Sequence, residues 1–304
     1  MSAASRILLL GANGQVGSEL LHSLAPLGEL AAATRDGTLA DGSTCLRADL
    51  ADPASLAQAL DAACAGVIVN AAAYTAVDRA EDEPDLADRI NHRAVAEIGA
   101  WAAHHGARVV HYSTDYVFGG SATRPYREDD ATAPLGVYGA TKFAGEQALR
   151  ASAARHLLFR TAWVHAAHGH NFLRTMLRLA GERDELRIVD DQVGAPTPAR
   201  LIAEVTARVL ASPAVDAEGT FHLVSRGQCS WAGFADAIFE GAVARGLVAR
   251  APVVVPVASA DYPTRARRPA WSVLDVSRLE NAFGLQLPDW RTGLGQVLDE
   301  LARR

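Results

Sequence analysis

The sequence predicts an α/β protein in which a doubly wound parallel sheet is followed by a smaller C-terminal lobe. Its N-terminal half alternates short, uninterrupted apolar runs with segments of helical periodicity. Uninterrupted apolar runs are typical of parallel strands that helices cover on both faces. In addition, the segment GANGQVG follows the first apolar run and opens the first helical segment, as the first turn of such sheets does.

The elements of this half can be assigned in chain order. We predict strands at residues 6–10 and 29–33, a short one ending near 49, and others at 66–70, 108–113 and 156–161. Helices are predicted at residues 14–27, 53–63, about 85–105 and 138–152, and a loop at 71–78. Pro53 supports the start of the second helix, because the N–H that proline lacks would have no helical partner there.

The second half has a different character from about Trp163 onwards. Its elements are shorter, and loops rich in proline, glycine and arginine separate them, at residues 190–198 and 258–269. We therefore expect residues 1–165 to form the sheet domain. Residues 166–304 are expected to form mainly a smaller lobe, from which segments could return to the main sheet.

Composition and charge narrow the functional class. The 304 residues are 49% hydrophobic and 21% charged, as expected for a soluble protein with a substantial core. The net charge of −6 argues against a nucleic-acid binder, which needs a basic surface. The apolar run at residues 7–10 is too short for a signal peptide or a membrane span, so we expect a cytoplasmic protein. The three cysteines, Cys45, Cys64 and Cys229, fit free thiols in a reducing compartment.

Three glycines in the first turn, Gly11, Gly14 and Gly17, predict a dinucleotide site of the Rossmann type. Glycine at these positions permits a tight turn, the close approach of a pyrophosphate and close packing of helix on strand. The N-terminus of the following helix adds unpaired N–H groups and a positive dipole end, and both attract an anion.

The end of the second predicted strand indicates the type of dinucleotide. NAD sites usually place Asp or Glu there to bind the ribose 2′-hydroxyl, whereas this chain has Thr34 and Arg35. A guanidinium can pair with a 2′-phosphate, although an exposed arginine beside Asp36 is the alternative interpretation. We therefore expect NADPH, with NADH as the alternative cofactor, and we expect Asp49 and Leu50 at its adenine end.

The pair Tyr138 and Lys142 provides a candidate chemical centre. Residues four apart lie on one face of a helix, and a lysine ammonium beside a tyrosine lowers the pKa of its hydroxyl. Lys142 is the only lysine in a chain with 28 arginines, so a chance Tyr-x-x-x-Lys pairing is rare. Ser113, Thr114 and Asp115 end the preceding strand, where α/β sheets bind ligands. A hydroxyl there could hold a substrate carbonyl oxygen, or it could simply bond the backbone.

These motifs resemble those of the short-chain dehydrogenase/reductases, and within them those of the dTDP-4-dehydrorhamnose reductase family. The matching stretches span nearly the whole chain and lie at residues 11–19, 70–78 (NAAAYTAVD), 111–118 (HYSTDYVF), 138–146 (YGATKFAGE), 160–164 (RTAWV), 171–177 (NFLRTML), 191–197 (DQVGAPT) and 268–274 (RPAWSVL). The cofactor motifs are shared across the superfamily, whereas HYSTDYVF together with DQVGAPT is specific to this family.

The resemblance implies a reaction, the reduction of dTDP-4-dehydro-L-rhamnose at C4 to dTDP-L-rhamnose. Tyr138 would donate a proton to the C4 oxygen, Thr114 would bind that oxygen, and Lys142 would hold the cofactor ribose and tune the tyrosine. The family's cofactor positions correspond to Gly14, Gln15, Val16, Asp49, Leu50, Ala73, Tyr74 and Thr75, and its sugar positions to Asp115 and Trp163. Asn171 and the loop at 192–197, which begins with Gln192, would line the nucleotide-sugar pocket.

The resemblance also bears on metal binding and assembly. Some members of the family bind Mg²⁺ at a dimer interface through three glutamates, and Glu19 and Glu300 correspond to two of them. The third position is Arg200, which has a fixed positive charge and no lone pair for a metal. Arg200 could instead form a salt bridge with Glu19 or Glu300, and we expect no metal and a monomer or weak homodimer.

Two other functions remain open from the sequence. The first is another epimerase, dehydratase or reductase of the superfamily acting on a nucleotide sugar. A dehydratase would be expected to have Asp-Glu after the strand-end threonine, and here Asp115 is followed by Tyr116. The second is a non-catalytic, cofactor-binding regulatory subunit, against which the intact set Thr114, Tyr138 and Lys142 argues.

Overall fold

A computed structural model of the protein describes residues 6–212, 214 and 217–304. Within these residues the strands are β1 (Ile7–Leu10), β2 (Leu30–Thr34), β3 (Leu46–Arg47), β4 (Val67–Asn70), β5 (Arg108–Thr114), β6 (Arg155–Thr161), β7 (Val164–His165), β8 (Glu185–Val189), β9 (Val193–Gly194), β10 (Thr197–Pro198), β11 (Gly219–His222), β12 (Cys229–Ser230) and β13 (Val253–Val257). The helices are α1 (Gln15–Leu24), α2 (Pro53–Ala63), α3 (Val77–Ala80), α4 (Pro84–Asp88), α5 (Ala94–His105), α6 (Val137–Ala151), α7 (Phe172–Ala180), α8 (Ala199–Ala211), α9 (Trp231–Ala244), α10 (Ser277–Phe283) and α11 (Trp290–Ala302). None of these helices is both long and apolar enough to cross a membrane, within the described part of the chain.

A seven-stranded parallel sheet forms the centre of the molecule. Its strand order is β11-β6-β5-β4-β1-β2-β3, and each neighbouring pair is parallel. The chain runs outward from β1 through β2 to β3 and then crosses to β4, on the other side of β1. Such a switch point leaves a crevice at the carboxyl ends of β1 and β4, where α/β proteins bind ligands. The doubly wound sheet predicted from the sequence is confirmed.

The composition of the central strands explains their burial. All residues of β1 and β5 are buried, as strands with helices on both faces require. Successive side chains of a strand point to opposite faces, and Leu8 and Leu9 accordingly belong to two different core clusters. Leu8 packs in one cluster with Leu56 of α2, and Leu9 packs in the other with Leu20 of α1.

The second half of the chain is shared between the main body and the smaller lobe. Strand β11 extends the main sheet beside β6, and Ile202 and Val209 of α8 pack in the same core as Leu20 of α1. The lobe has its own core, in which Phe234 and Trp290 pack among α7, α9, α11 and the parallel pair β8 and β13. Segments of residues 166–304 therefore return to the main sheet.

Three local elements differ from the prediction. The first helix ends at Leu24, and a 3₁₀ turn covers Ala25–Leu27. A π-helical turn, Arg89–Arg93, divides the predicted helix at about 85–105 into α4 and α5. This turn directs the carbonyl oxygen of Asn91 at α6, where a Cβ on Gly145 would overlap with it, so only glycine fits. The predicted loop at 71–78 contains the start of α3.

Candidate active site

A cleft of about 770 Å³ opens at the carboxyl ends of the central strands. It lies at the switch point between β1 and β4, as the strand order predicts. Residues from both halves of the chain form its walls. Predicted site residues that line it are Gly11, Gly14, Gln15, Val16, Arg35, Asp49, Leu50, Ala73, Thr75, Thr114, Asp115, Tyr138, Lys142 and Trp163.

The glycine-rich turn after β1 closes one end of the cleft. Gly11 has a φ of +81°, which glycine adopts without steric cost. Gly17 is buried and does not line the cleft, because a Cβ there would overlap with the carbonyl oxygen of Gly11; this glycine lets α1 pack on the turn. Helix α1 begins at Gly14 without a side-chain cap, so its first N–H groups remain available to an anion. The turn therefore fits a dinucleotide pyrophosphate.

The turn after β2 carries Arg35 and Asp36 to the rim of the cleft. The Thr34 hydroxyl organises this turn, since it donates to the Asp36 carboxylate at 3.0 Å and accepts from the N–H groups of Gly37 and Thr38. The bond from Thr34 is the main cause that holds the pKa of Asp36 below its ordinary value. Arg35 is exposed beside it, where its guanidinium can reach a ligand.

Tyr138 and Thr114 bring two hydroxyl groups together inside the cleft. Tyr138 lies in the first turn of α6, Thr114 ends β5, and both line the cleft. Removal of the ring hydroxyl from water raises the pKa of Tyr138 to about 12, an effect that the neighbouring Thr114 hydroxyl reduces. The hydroxyl is therefore protonated at neutral pH, as a proton donor must be.

Asp115 is the third buried polar group at this point of the cleft. Its Oδ1 accepts a hydrogen bond from Thr114 Oγ1 at 3.0 Å, which orients the threonine side chain. Burial raises the pKa of Asp115 to about 7. The ring of Tyr116 meets the ring of Tyr138 edge-on at 5.9 Å between centroids. The predicted strand-end hydroxyl site is thus surrounded by groups that can hold a polar ligand.

Lys142 is buried one helical turn beyond Tyr138, with 2% of its surface exposed. Its Nζ donates to the carbonyl oxygen of Tyr112 at 2.6 Å and lies 3.4 Å from Nε2 of His111. Burial lowers the pKa of Lys142 to about 8. The prediction that Lys142 lowers the pKa of Tyr138 is wrong for this structure, because the amine is directed at the β5 backbone and burial of the phenol raises its pKa.

Two buried polar residues that the sequence analysis missed support Lys142. His111 of β5 lies between Lys142 and Asn70 of β4, whose Nδ2 is 3.2 Å from Nδ1 of the imidazole. Burial holds the pKa of His111 well below its ordinary value, so the imidazole is neutral. Both residues stand inside matching motifs, but a polar residue at the end of an apolar strand has no periodic signal of its own.

Two tryptophans form another wall of the cleft. The indole rings of Trp163 and Trp231 stack with centroids 3.5 Å apart and planes inclined by 4°, and both line the cleft. Trp163 has a φ of +48°, which is rare for a bulky residue. A Cβ on Gly194 would lie 2.6 Å from its ring, so the glycine of the DQVGAPT segment makes room for the indole. Trp231 was not predicted, because it comes from the distant helix α9.

Three predicted contact residues are not among those that line the cleft. The side chain of Tyr74 bonds Glu83 at 2.6 Å, that of Asn171 bonds Gln15 at 2.7 Å and that of Gln192 bonds Ser259 at 2.8 Å. Their contacts with cofactor or substrate stay predictions.

The positions that correspond to the metal-binding glutamates of relatives meet in a separate small depression. Each has its own partner: Glu19 pairs with His168 at 2.9 Å, Arg200 with Glu204 at 2.9 Å and Glu300 with Arg304 at 2.6 Å. The alternative bridge from Arg200 to Glu19 or Glu300 is not formed, because the guanidinium turns to a carboxylate one turn further along α8. The described residues contain no group of three or more histidine, cysteine or acidic side chains placed to hold a metal. With a cation among its lining residues, the depression does not fit Mg²⁺.

A family model, two related sequences and a solved structure all indicate the same family. The family model described as the RmlD substrate binding domain matches residues 5–303. The dTDP-4-dehydrorhamnose reductase of Burkholderia thailandensis is 47% identical over 306 residues, which cover 97% of this chain and 99% of the relative. That of Escherichia coli K12 is 46% identical over 297 residues, which cover 97% of each chain. The structure of dTDP-4-dehydrorhamnose reductase from Bacillus anthracis in complex with NADP has a TM-score of 0.87 at 32% identity, covering 97% of this chain and 99% of that one.

Proposed function

Because the chain belongs to the RmlD family, which includes curated dTDP-4-dehydrorhamnose reductases, we propose that it reduces the C4 keto group of dTDP-4-dehydro-L-rhamnose to give dTDP-L-rhamnose. The reductant is NADPH, in keeping with the NADP complex of the Bacillus anthracis relative. One observation carries the proposal. A single cleft joins the hydroxyls of Tyr138 and Thr114 and the amine of Lys142 to a glycine-rich helix N-terminus.

NADPH supplies the hydride when it is bound. The N–H groups at the start of α1 would hold its pyrophosphate, because they are uncapped. The residues proposed to contact the cofactor are Gly11, Gly14, Gln15, Val16, Arg35, Asp49, Leu50, Ala73, Thr75, Tyr138 and Lys142. Tyr74 is proposed to contact the cofactor as well, and Gly17 to act indirectly, by shaping the turn.

The proton comes from this chain. As the C4 oxygen gains negative charge, the Tyr138 hydroxyl donates its proton to it, and the Thr114 hydroxyl holds the same oxygen. A tyrosine with a pKa of about 12 keeps its proton until that charge develops. Lys142 is proposed to bind the cofactor ribose, because it lines the cleft one helical turn beyond Tyr138.

The nucleotide sugar would occupy the wall opposite the glycine-rich turn. Asp115 and Trp163 are proposed to contact the sugar, since both line the cleft beside Thr114. Asn171 and Gln192 are proposed to contact the nucleotide sugar as well; their side chains bond Gln15 and Ser259 in this structure.

We also propose the roles of the two parts of the chain, its oligomeric state and its cellular location. Residues 1–165 would bind the cofactor and carry the reacting groups, and residues 166–304 would mainly bind the sugar nucleotide. We propose a monomer or weak homodimer, because Arg200 replaces a metal ligand at the surface through which some relatives pair. A cytoplasmic location is proposed from the free thiols of Cys45, Cys64 and Cys229.

The test is oxidation of NADPH by the purified protein in the presence of dTDP-4-dehydro-L-rhamnose, with chromatography of the product. We expect one dTDP-L-rhamnose for each NADPH consumed. An epimerase or dehydratase would convert the sugar without net consumption of NADPH, and a regulatory subunit would bind NADPH without converting the sugar. Either result would refute the proposed function.

A further inference from the structure

Arg47, at the end of β3, lies beside the turn that carries Arg35 to the rim of the cleft. We propose that Arg35 and Arg47 together bind the 2′-phosphate of NADPH and that Arg47 helps to determine the choice of cofactor. The inference rests on the proposed use of a nicotinamide dinucleotide, and it does not depend on which sugar is reduced.

The strand register brings Arg47 close to the start of the turn that carries Arg35. Thr34 of β2 pairs with Arg47 of β3, and Arg35 directly follows Thr34 in that turn. Neighbouring strands lie about 4.8 Å apart, so both arginines leave the sheet within about one strand spacing of each other. They leave it at the carboxyl edge, where the cleft opens, and Ala48 and Asp49, which follow Arg47, line the cleft.

The loop between β2 and β3 holds this arrangement in place. Asn13, in the glycine-rich turn, donates to the carbonyl oxygen of Thr38 at 2.9 Å, which ties the loop to the proposed pyrophosphate site. Gly37 has a φ of +79°, and a Cβ on it would lie 3.4 Å from the Cβ of Arg47. The turn that carries Arg35 therefore passes directly beside the side chain of Arg47.

The charges at this corner favour a phosphate over a ribose hydroxyl. Both arginines are exposed, and no carboxylate among the described residues forms an ion pair with either of them. Asp36 is already engaged, because its Oδ1 accepts hydrogen bonds from the Thr34 hydroxyl and the Thr38 N–H. Asp49, two residues after Arg47, is engaged as well, because its Oδ1 accepts a hydrogen bond from the N–H of Ala51. Two guanidinium groups without an ion pair, beside carboxylates that already accept hydrogen bonds, remain available to a phosphate, which guanidinium groups bind strongly.

Thr34 strengthens the preference for NADPH because it has no carboxylate to accept a hydrogen bond from a ribose 2′-hydroxyl. It stands at the strand end, where NAD sites have a carboxylate that accepts from the ribose 2′-hydroxyl. Its own hydroxyl is turned into the loop after β2, where it bonds Asp36, Gly37 and Thr38. NADH therefore gains little from this corner, whereas NADPH gains two cationic contacts.

Equilibrium binding of NADPH and NADH, measured by titration calorimetry without any sugar, tests the inference. Charge-assisted hydrogen bonds are worth about tenfold or more in affinity each. We expect Arg47→Ala to weaken NADPH about tenfold, and the double variant Arg35→Ala/Arg47→Ala to weaken it about a hundredfold. NADH affinity should change less than about twofold, since it lacks the phosphate. Arg183→Ala removes an exposed arginine outside the cleft and is the matched control.

Binding of 2′,5′-ADP and 5′-ADP repeats the comparison without the nicotinamide. Arg47→Ala should weaken only the ligand with the 2′-phosphate. Unchanged NADPH affinity in Arg47→Ala, or equal losses for NADPH and NADH, would overturn the inference. If the variant does not fold, the affinity of the unmodified protein for each cofactor is measured at increasing salt concentration. A steeper fall in affinity for NADPH than for NADH supports the two-arginine site, and equal slopes refute it.

The result that refutes the proposed function differs from the result that refutes the cofactor inference. A protein that binds NADPH with this dependence on Arg47 but does not oxidise it in the presence of the keto sugar refutes the sugar reaction and leaves the cofactor inference intact. If the protein reduces the sugar equally well with both cofactors, and Arg47→Ala leaves NADPH affinity unchanged, only the cofactor inference is refuted.

Discussion

The amine of Lys142 donates a hydrogen bond to the carbonyl oxygen of Tyr112, 2.6 Å away, and does not engage Tyr138 four residues earlier on the same helix. Without a cofactor, the only lysine of the chain is thus buried against the backbone of β5. Its burial disfavours the charged form and lowers its pKa. The pKa of Lys142 and its response to NADPH are therefore measurable signs of the role proposed for it.

The titration of Lys142 can be followed directly, because a protein labelled with ¹³Cε-lysine has one lysine signal. We expect a midpoint at about pH 8 in the cofactor-free protein, with the amine protonated below it and neutral above it. NADPH should shift this signal. Arg in place of Lys142 removes the signal and confirms its assignment. A midpoint near the ordinary lysine value would show that the amine is solvated rather than buried.

Tyr138→Phe should lower kcat about 10²- to 10⁴-fold, the usual contribution of a general acid. The ring remains, so NADPH affinity should stay within about twofold of the unmodified protein, since only a hydroxyl is removed. Tyr116→Phe is the comparison variant, because this phenol lines the same cleft and meets Tyr138 edge-on. It should lose much less activity. Near-normal kcat in Tyr138→Phe would rule out this residue as the proton donor.

Trp231→Ala should raise the KM for the sugar nucleotide about two- to tenfold and leave NADPH affinity unchanged. The stack with Trp231 holds Trp163 in its strained backbone conformation, and such aromatic pairs contribute about 0.5–1.5 kcal/mol. Steady-state kinetics with each substrate varied in turn separate the two effects. Trp101→Ala, on α5 outside the cleft, is the control. An unchanged KM would show that the wall does not need the stack.

Activity should survive EDTA, and metal analysis should find no stoichiometric Mg²⁺. Arg200 brings a positive charge close to Glu19 and Glu300, and its guanidinium offers no ligand atom. Arg200→Glu would restore three carboxylates and should create a Mg²⁺-dependent increase in thermal stability. Loss of activity in EDTA that Mg²⁺ alone restores would contradict this account.

Glu146→Ala should destabilise the fold by about 3–5 kcal/mol, because it leaves the buried guanidinium of Arg160 without its counter-ion. The two side chains form paired hydrogen bonds of 2.9 and 2.8 Å between α6 and β6 and are almost fully buried. Urea denaturation measures the loss. Glu182→Ala, which breaks an exposed pair with Arg178, should cost less than about 1 kcal/mol. Equal losses would show that burial of the Glu146 pair is unimportant.

Local sequence patterns were enough to predict the parallel sheet, the glycine-rich turn and the pair Tyr138 and Lys142. These features are local: apolar runs, glycine spacing and a helical i, i+4 relationship each lie within a few residues. For that reason the predicted strands agree with the structure to within a few residues, and the glycines predicted for the turn lie where its geometry requires them. The departures in the helices arise where packing intervenes, as at the π-helical turn that brings Asn91 against Gly145.

The contacts of individual side chains depend on the tertiary structure and could not be predicted from local patterns. Trp231 joins the cleft because α9 packs on a strand end almost seventy positions earlier in the chain, where Trp163 stands. Arg47 lies beside Thr34, the residue before Arg35, because β2 and β3 pair as parallel strands. Lys142 turns to Tyr112, and Arg200 turns to Glu204, because hydrogen-bond partners are chosen by distance in the folded state. Sequence spacing gives the face of a helix or strand, whereas long-range packing determines which groups meet there.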